Sequence, residues 1–269
     1  MAYLRWALRS AFSPNLDELQ AVRGAMRATR HGVLVDVGAH HGSSLLPFAT
    51  DGWRVHAFEP DPGNRAVLET RTRSFDQVTV DARAIGPRDG EVVTLFTSPV
   101  SSGISTTRPF DPSHRPTAEV TTVRLDTYLA DVPEVTVLKT DAEGQDLPIL
   151  ETFPWDRLRP AAVVAEFEDR KTAGPVGYTF HDLATYLGNY GYTVLISEWY
   201  PVVRYGAKHR WRRIERYPTE LADSAAWGNV VAIVPTLASR VIADTSWPAR
   251  WRVLARKIRR RAGRGIGRG

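Results

Sequence analysis

The sequence contains no cysteine in 269 residues, which excludes a disulfide framework, a thiolate zinc site, an iron–sulfur cluster and a cysteine nucleophile together. It has no apolar run near the roughly 18 residues that a membrane span needs. The N-terminal MAYLRWALRS is broken by Arg5 and Arg9 before a signal-type apolar core can build. These absences predict a cytoplasmic chain. No histidine pair has HExxH or comparable ligand spacing, which argues against a histidine–zinc site. The phosphate-loop pattern ending in Gly-Lys-Ser/Thr, the G-x-G-x-x-G fingerprint and a Tyr-x-x-x-Lys pair are missing too, so a nicotinamide-dependent oxidoreductase loses its usual marks.

With 43% apolar and 24% charged residues, the length suits one globular domain with appendages. The net charge of +5 is unevenly spread. Residues 250–269 hold nine basic residues and no acid, leaving 26 basic against 30 acidic residues in the first 249. The high pI therefore belongs to a tail, and a second basic cluster at Arg204, Lys208, Arg210, Arg212, Arg213 and Arg216 leaves the rest more acidic still. A uniformly basic nucleic-acid-binding body is disfavoured.

Residues 16–30 place Leu16, Leu19, Val22 and Met26 at spacings of three and four after Ser13-Pro14-Asn15, which predicts an amphipathic helix. Short β-branched runs follow at 33–35, 55–58, 78–80, 92–96, 135–138, 161–167, 193–196 and 229–234. Stretches of helical length lie between several of them, at 43–50, 64–74, 147–151 and 180–190. Strand alternating with helix predicts a mostly parallel sheet covered on both faces. Asp89-Gly90 before Glu91 predicts one hairpin-like insertion, and the Pro- and Ser-rich stretch 98–118 reads as a single long loop, functional or disordered.

In such a sheet ligands sit beyond the carboxyl ends of the strands. The first run is followed there by Asp36-Val37-Gly38-Ala39-His40-His41-Gly42, whose glycines permit a tight strand-to-helix turn with close backbone approach to a ligand. Glu59 follows the second run, where an acid can accept hydrogen bonds from both ribose hydroxyls of an adenosine-containing ligand or simply cap the next helix. Lys139, Asp141 and Glu143 crowd the end of the 135–138 run, and Glu166, Glu168 and Asp169 the end of the next. Burying those charges is costly unless they pair or bind something, so they read as a site or as an exposed ion-pair cluster.

The segments VLVDVGAHHG, VHAFEPDPGN, VTVDARAIGPRDGEVVTLF, VRLDTYL and, above all, VLKTDAEGQDLPIL follow one another in an order and spacing that resemble the FkbM-type S-adenosylmethionine-dependent methyltransferases. The resemblance spans roughly residues 30–200 and implies an α/β fold: a Rossmann-like class I methyltransferase sheet, mostly parallel with helices on both faces. It divides the chain into an N-terminal helical extension (1–30), a methyltransferase domain (31–240) and a basic C-terminal helix or tail (241–269). It implies S-adenosylmethionine as donor and methyl transfer to a hydroxyl oxygen of a sugar, glycan or glycolipid-type acceptor, or of a polyketide or other small natural product. Carried over position by position, Asp36, Gly38, His40 and Gly42 resemble the methionine-side cofactor loop and Glu59 the ribose binder. The stretch from Asp81 and Ala82 to Ala84 resembles the adenine edge, and Ser102 belongs to a Ser-Gly loop over the cofactor. His40 and Ala82 stand where the family often has asparagine.

Methyl transfer to a hydroxyl needs a base or a metal to take up or acidify its proton. Asp141, Glu143 and His181 are the candidate bases, and Lys139 can neutralise an alkoxide or merely pair with Asp141. Asp141, Glu166 and Glu168 are the candidate ligands for magnesium or manganese, which favour oxygen donors. The aromatic and arginine-rich stretch 177–214 reads as an acceptor platform or as a core strand followed by a solvated loop. The tail, with Trp247, Trp251, Leu254 and Ile258 near one side, reads as a contact for an anionic (inner) membrane surface, a disordered end or an RNA contact. A non-catalytic membrane or nucleic-acid adaptor is the reading of another class that stays open. The oligomeric state is not legible.

Overall fold

The computed structural model describes residues 16–29 and 31–245. Eleven strands are described, eight of them in one sheet. Three are β1 (Val33–Val37), β2 (Arg54–Phe58) and β3 (Val78–Asp81); β7 (Val137–Thr140), β8 (Ala162–Phe167), β9 (Thr193–Trp199), β10 (Trp211–Arg216) and β11 (Trp227–Ile233) complete it. Their order is β10-β9-β11-β8-β7-β1-β2-β3. From β3 to β8 every pairing is parallel, while β11 runs antiparallel to both β8 and β9, and β10 antiparallel to β9. The eight runs expected as strands all are strands. Strands β1, β7 and β8 are buried along their whole length, which is why they read as unbroken apolar runs rather than alternating ones.

Helices cover both faces. On one, α1 (Glu18–Ala25), α2 (Leu46–Thr50), α3 (Pro62–Thr72) and α8 (Pro235–Thr245) enclose Leu34, Val55, Val137, Val164 and Leu195. On the other, α4 (Leu125–Tyr128), α5 (Asp146–Leu150) and α7 (Phe180–Asn189) pack on Val35, Val37, Leu138 and Val163. Each such aliphatic side chain contributes about 1.5–3 kcal/mol by leaving water. A further short turn, α6 (Asp169–Thr172), follows β8 directly.

The first helix starts with Asp17 as its cap, its carboxylate accepting the Gln20 N–H at 3.0 Å. It ends at Ala25, short of the expected residue 30. Ser13-Pro14-Asn15 and most of the basic tail, with Trp247, Trp251, Leu254 and Ile258, lie outside the described residues. No described helix is long and apolar enough to cross a membrane.

The expected insertion is a small second sheet of β4 (Ala84–Ile85), β5 (Val92–Thr97) and β6 (Arg115–Val123), ordered β4-β6-β5. The long loop expected over 98–118 therefore ends at residue 114, because Arg115–Ala118 already pair with β5. The loop is ordered by the buried His114: its Nδ1 accepts the Phe110 and Asp111 N–H groups, and its Nε2 donates to the Ile104 carbonyl at 2.8 Å.

Candidate active site

Two adjoining cavities, of about 190 and about 200 Å³, open beyond the carboxyl ends of β1, β2, β7 and β8 and share Asp141, Glu143 and Gly103. The first begins at the β1–α2 turn. Gly38 holds φ +73°, and a Cβ there would stand 2.0 Å from the Asp141 carbonyl oxygen; only glycine lets the tips of β1 and β7 come this close. The Gly38 and Ala39 N–H groups both donate to the Phe58 carbonyl at 3.0 Å. This ties the turn to β2.

Glu59 is buried beside this turn, accepting the His40 N–H at 2.7 Å and the Asp61 N–H at 2.9 Å. Burial pushes its carboxyl up to about 7, against those two hydrogen bonds. His40 adopts φ +49°, stacks on His41 and meets the Ser102 hydroxyl at 2.9 Å. Asn64 donates to the Ser102 carbonyl at 2.9 Å, and Ser105 to Asp61 at 2.7 Å. The 98–114 loop is thus fastened over the cleft at three points, through Ser102 to His40, Ser102 to Asn64 and Ser105 to Asp61; Ser105 carries no motif that would have singled it out.

Asp36 and Gly42 shape the turn without lining the cavity. The Asp36 carboxylate, fully buried, accepts from Ser44 at 2.8 Å and pairs with Lys139 at 3.0 Å. Lys139 also donates to the Gly38 carbonyl at 2.7 Å and lies 3.5 Å from Asp141. Burial would lower its pKa, but Asp36 and Asp141 outweigh that and raise it. Lys139 is therefore held as a cation under the turn, between Asp36 and Asp141. At the far end, of the stretch from Asp81 to Ala84 expected to meet adenine, Ala84 lines the cavity while Asp81 and Ala82 do not. Asp81 is taken up by Arg83, with contacts of 2.7–3.0 Å, and it is Ala84, Ile85 and Leu95 that line the cavity.

The second cavity is acidic. Glu143, at φ +53°, carries the backbone strain that clusters at functional sites. Its carboxyl is pushed up to about 7 by burial, against the pull of Lys171 at 2.5 Å. Burial also raises Glu166 well above the ordinary carboxylate range, with Lys171 again opposing. Burial works the same way on Glu168, yet Lys171 and Arg170 hold it below that range. Tyr205 donates to both Glu168 oxygens at 3.3 Å. His209 and Trp227 complete the wall. Of the aromatic stretch, Tyr205 and His209 thus reach this cavity, whereas Phe180, Leu183, Leu187 and Tyr192 belong to the core.

Two expectations need correction. His181, at the start of α7, meets Tyr217 and Glu220 at 3.3 Å and lines neither cavity, so it is not placed to act as the base. The metal set of Asp141, Glu166 and Glu168 does not assemble as such. The structure instead brings single oxygens of Asp141, Glu143 and Glu166 within 4.8 Å of one another, while Glu168 turns to Arg170 and Tyr205. The Lys171 ammonium already stands among them, 3.7 Å from Glu166 and 3.0 Å from Glu168. Among these acids the ammonium occupies space and offsets part of the negative charge that magnesium or manganese would otherwise meet. Lys171 itself escaped the sequence reading; its signal was a cation three residues after Glu168 on a helical turn.

A mostly parallel sheet in which β10 and β11 run reversed, with a glycine turn after β1 and an acid after β2, is the arrangement of a Rossmann-like methyltransferase fold. The sequence pattern of the FkbM methyltransferase domain matches residues 36–194, more than half of the chain, and the chain belongs to this S-adenosylmethionine-dependent family. No curated protein matches the sequence. Among solved structures it is similar to precorrin-6y C5,15-methyltransferase from Geobacter metallireducens (13% identity, TM-score 0.41, 80% of this chain and 86% of that one). It is also similar to precorrin 8w decarboxylase from Methanobacterium thermoautotrophicum (16%, 0.44, 82% and 92%). A third is a methyltransferase from Geobacter sulfurreducens bound to S-adenosyl-L-homocysteine (14%, 0.37, 68% and 66%). The assignment rests on the family pattern, not on these distant likenesses.

Proposed function

We propose that the chain is an O-methyltransferase acting on a hydroxyl of a sugar, glycan or glycolipid-type acceptor. The observation that carries this reading is the junction of two unlike cavities at Glu143. One has a glycine turn and a buried ribose-type acid, while the other has acids and aromatic rings suited to a polyhydroxylated ligand. The first cavity fits the donor: Gly38 lines it with backbone alone, and Glu59 offers a buried carboxylate to a diol. His40, Ser102, Ala84, Ile85 and Leu95 form its remaining walls. S-adenosylmethionine supplies an electrophilic methyl group on a sulfonium.

The chain has little covalent work to do. Its residues must place the acceptor oxygen in line and take its proton as the new C–O bond forms and the methyl–sulfur bond breaks, leaving S-adenosylhomocysteine. Glu143 is the base best placed for this, because it faces both cavities and its pKa near neutrality lets it gain and release a proton. Asp141, paired with Lys139, orients the acceptor from the other side of the junction. Tyr205 and Trp227 offer faces for a sugar ring.

Calorimetric titration with S-adenosylhomocysteine, with NAD as control, tests the donor half of the reading. Saturable binding of the homocysteine product alone is expected; binding of neither overturns it. Incubation with labelled S-adenosylmethionine and a panel of glycosides and glycolipids tests the acceptor half. Label transferred to nitrogen or carbon, and not to oxygen, would sink it.

A further inference from the structure

Lys171 makes an unusual set of contacts for a lysine. Its ammonium lies 2.5 Å from Glu143, 3.0 Å from Glu168 and 3.7 Å from Glu166, while its side chain is 4% exposed. On its open side stand two aromatic faces, Phe110 with its ring centre at 4.7 Å and Tyr205 at 5.6 Å. Those two rings touch each other edge to face at 5.7 Å. Phe110 comes from the 98–114 loop and Tyr205 from the β9–β10 connection, so one buried cation joins three carboxylates and clasps both loops that border the second cavity.

We infer that Lys171 is the resident cation of the acceptor pocket, standing where the acidic cluster would otherwise take a divalent ion and holding Glu143 in place. A lysine ammonium is a compact charge with three donors, and here it meets three converging carboxylates; the planar fork of an arginine has no such symmetry. The aromatic faces add cation–π attraction and keep water from that side. The pocket so built needs no divalent metal. The two acids at the junction of the cavities each have a lysine of their own, Lys139 for Asp141 and Lys171 for Glu143. Lys171 acts through Glu143 and is a positioning residue, a role that rests on the reading of the second cavity as the acceptor pocket.

Removing the ammonium takes from the buried Glu143 and Glu166 their ion-pair partner, while Glu168 keeps Arg170, and a cation from solution is then expected to enter. The test is titration of the purified full-length chain with Mn²⁺, followed by the electron paramagnetic resonance of the free ion, with an S-adenosylhomocysteine titration in parallel. The wild-type chain is expected to show no saturable site in this cluster. Lys171→Met is expected to gain one site, at least about tenfold tighter than any in the wild type, and the double variant Lys171→Met/Glu166→Gln to lose it again. A merely structural lysine would not create that gain. A wild-type Mn²⁺ site abolished by Glu166→Gln overturns the inference, as does a Lys171→Met chain that still binds S-adenosylhomocysteine but takes no Mn²⁺. Should Lys171→Met fail to fold, the wild-type titration decides alone. Failure of the wild type to bind S-adenosylhomocysteine strikes the donor reading and leaves the Mn²⁺ result to stand by itself.

Discussion

The two ends of the site neutralise their acids by different means. At the donor end, Glu59 is held by backbone N–H groups from His40 and Asp61, and the turn that delivers them is set by glycine. At the acceptor end, Glu143, Glu166 and Glu168 are held by side chains, chiefly Lys171. A backbone cradle is rigid and shaped for one ligand. A cluster of side-chain charges tolerates change in what it faces, and its proton affinities shift with each partner. On the proposed reading, the donor end therefore suits a fixed cosubstrate, while the acceptor end is suited to proton transfer and to variation in acceptor.

The largest expected effect breaks the backbone end. Gly38→Ala places a Cβ against the Asp141 carbonyl at 2.0 Å in a left-handed backbone conformation. Neither contact partner is a flexible side chain, so β1 and β7 must part. A loss of at least about 3 kcal/mol in denaturant unfolding is expected, with S-adenosylhomocysteine binding abolished. Gly42→Ala shares the left-handed strain, at φ +76°, but its close contact is the end of the Leu68 side chain at 2.6 Å, which can give way, and it is expected to cost less. Equal costs would show that the close approach of the two strand tips has no special weight.

The next effect separates the ends. Glu143→Gln keeps the shape and removes the proton acceptor, so turnover is expected to fall by about 10²- to 10⁴-fold, with S-adenosylhomocysteine affinity changed by less than about twofold. Single-turnover kinetics beside calorimetry would show it. A comparable loss of product affinity would mean that the two cavities are not energetically separate.

A third prediction concerns pH at Glu59, whose carboxyl is raised by burial from 4.5 to about 7. The ionised form is the better acceptor for a ribose diol, so affinity for S-adenosylhomocysteine is expected to climb between about pH 6 and about pH 8 and then level. Stability moves the other way. The folded chain holds a proton that the unfolded chain has already released, so this group's contribution falls as pH rises from 4.5 to about 7. Glu59→Gln is expected to weaken binding by about 10- to 100-fold while flattening both profiles. Thermal melts and calorimetry across the range would reveal a single-signed response if the assignment were mistaken.

The same contrast explains what could be read in advance. The donor end was legible because its signals are local: an aspartate, two glycines and a histidine within seven residues after a buried strand, then an acid at the next strand end. The acids of the second cavity were legible as types at strand ends. Their counter-ion was not, because Lys171 reaches them only once β7 and β8 lie side by side and α6 turns back over them. Asp81 misled for a related reason. The turn at residues 82–83 folds Arg83 back onto it, and the cavity edge passes to Ala84 and Ile85. Strands β4, β6 and β10 were missed: β4 is two residues long, β6 is exposed over its first half with Pro116 near its start, and β10 is half-buried with four of six residues charged, so none carries a sustained apolar period.

The smallest effect sharpens the comparison at the place where the loop meets the cradle. Ser102 uses its hydroxyl toward His40 at 2.9 Å, but its carbonyl, held by Asn64, is untouched by a side-chain change. Ser102→Ala thus removes one of the loop's three ties to the donor end and leaves Ser105 on Asp61 in place. A single neutral hydrogen bond contributes about 0.5–1.5 kcal/mol, so affinity for S-adenosylhomocysteine is expected to drop by about two- to tenfold, with faster dissociation in stopped-flow displacement as its kinetic mark. Asn64→Ala should cost more, since it frees the loop backbone itself. The reverse order would place the hold on the loop in the His40 contact rather than in the main chain, and the donor end would then depend on side chains as the acceptor end does.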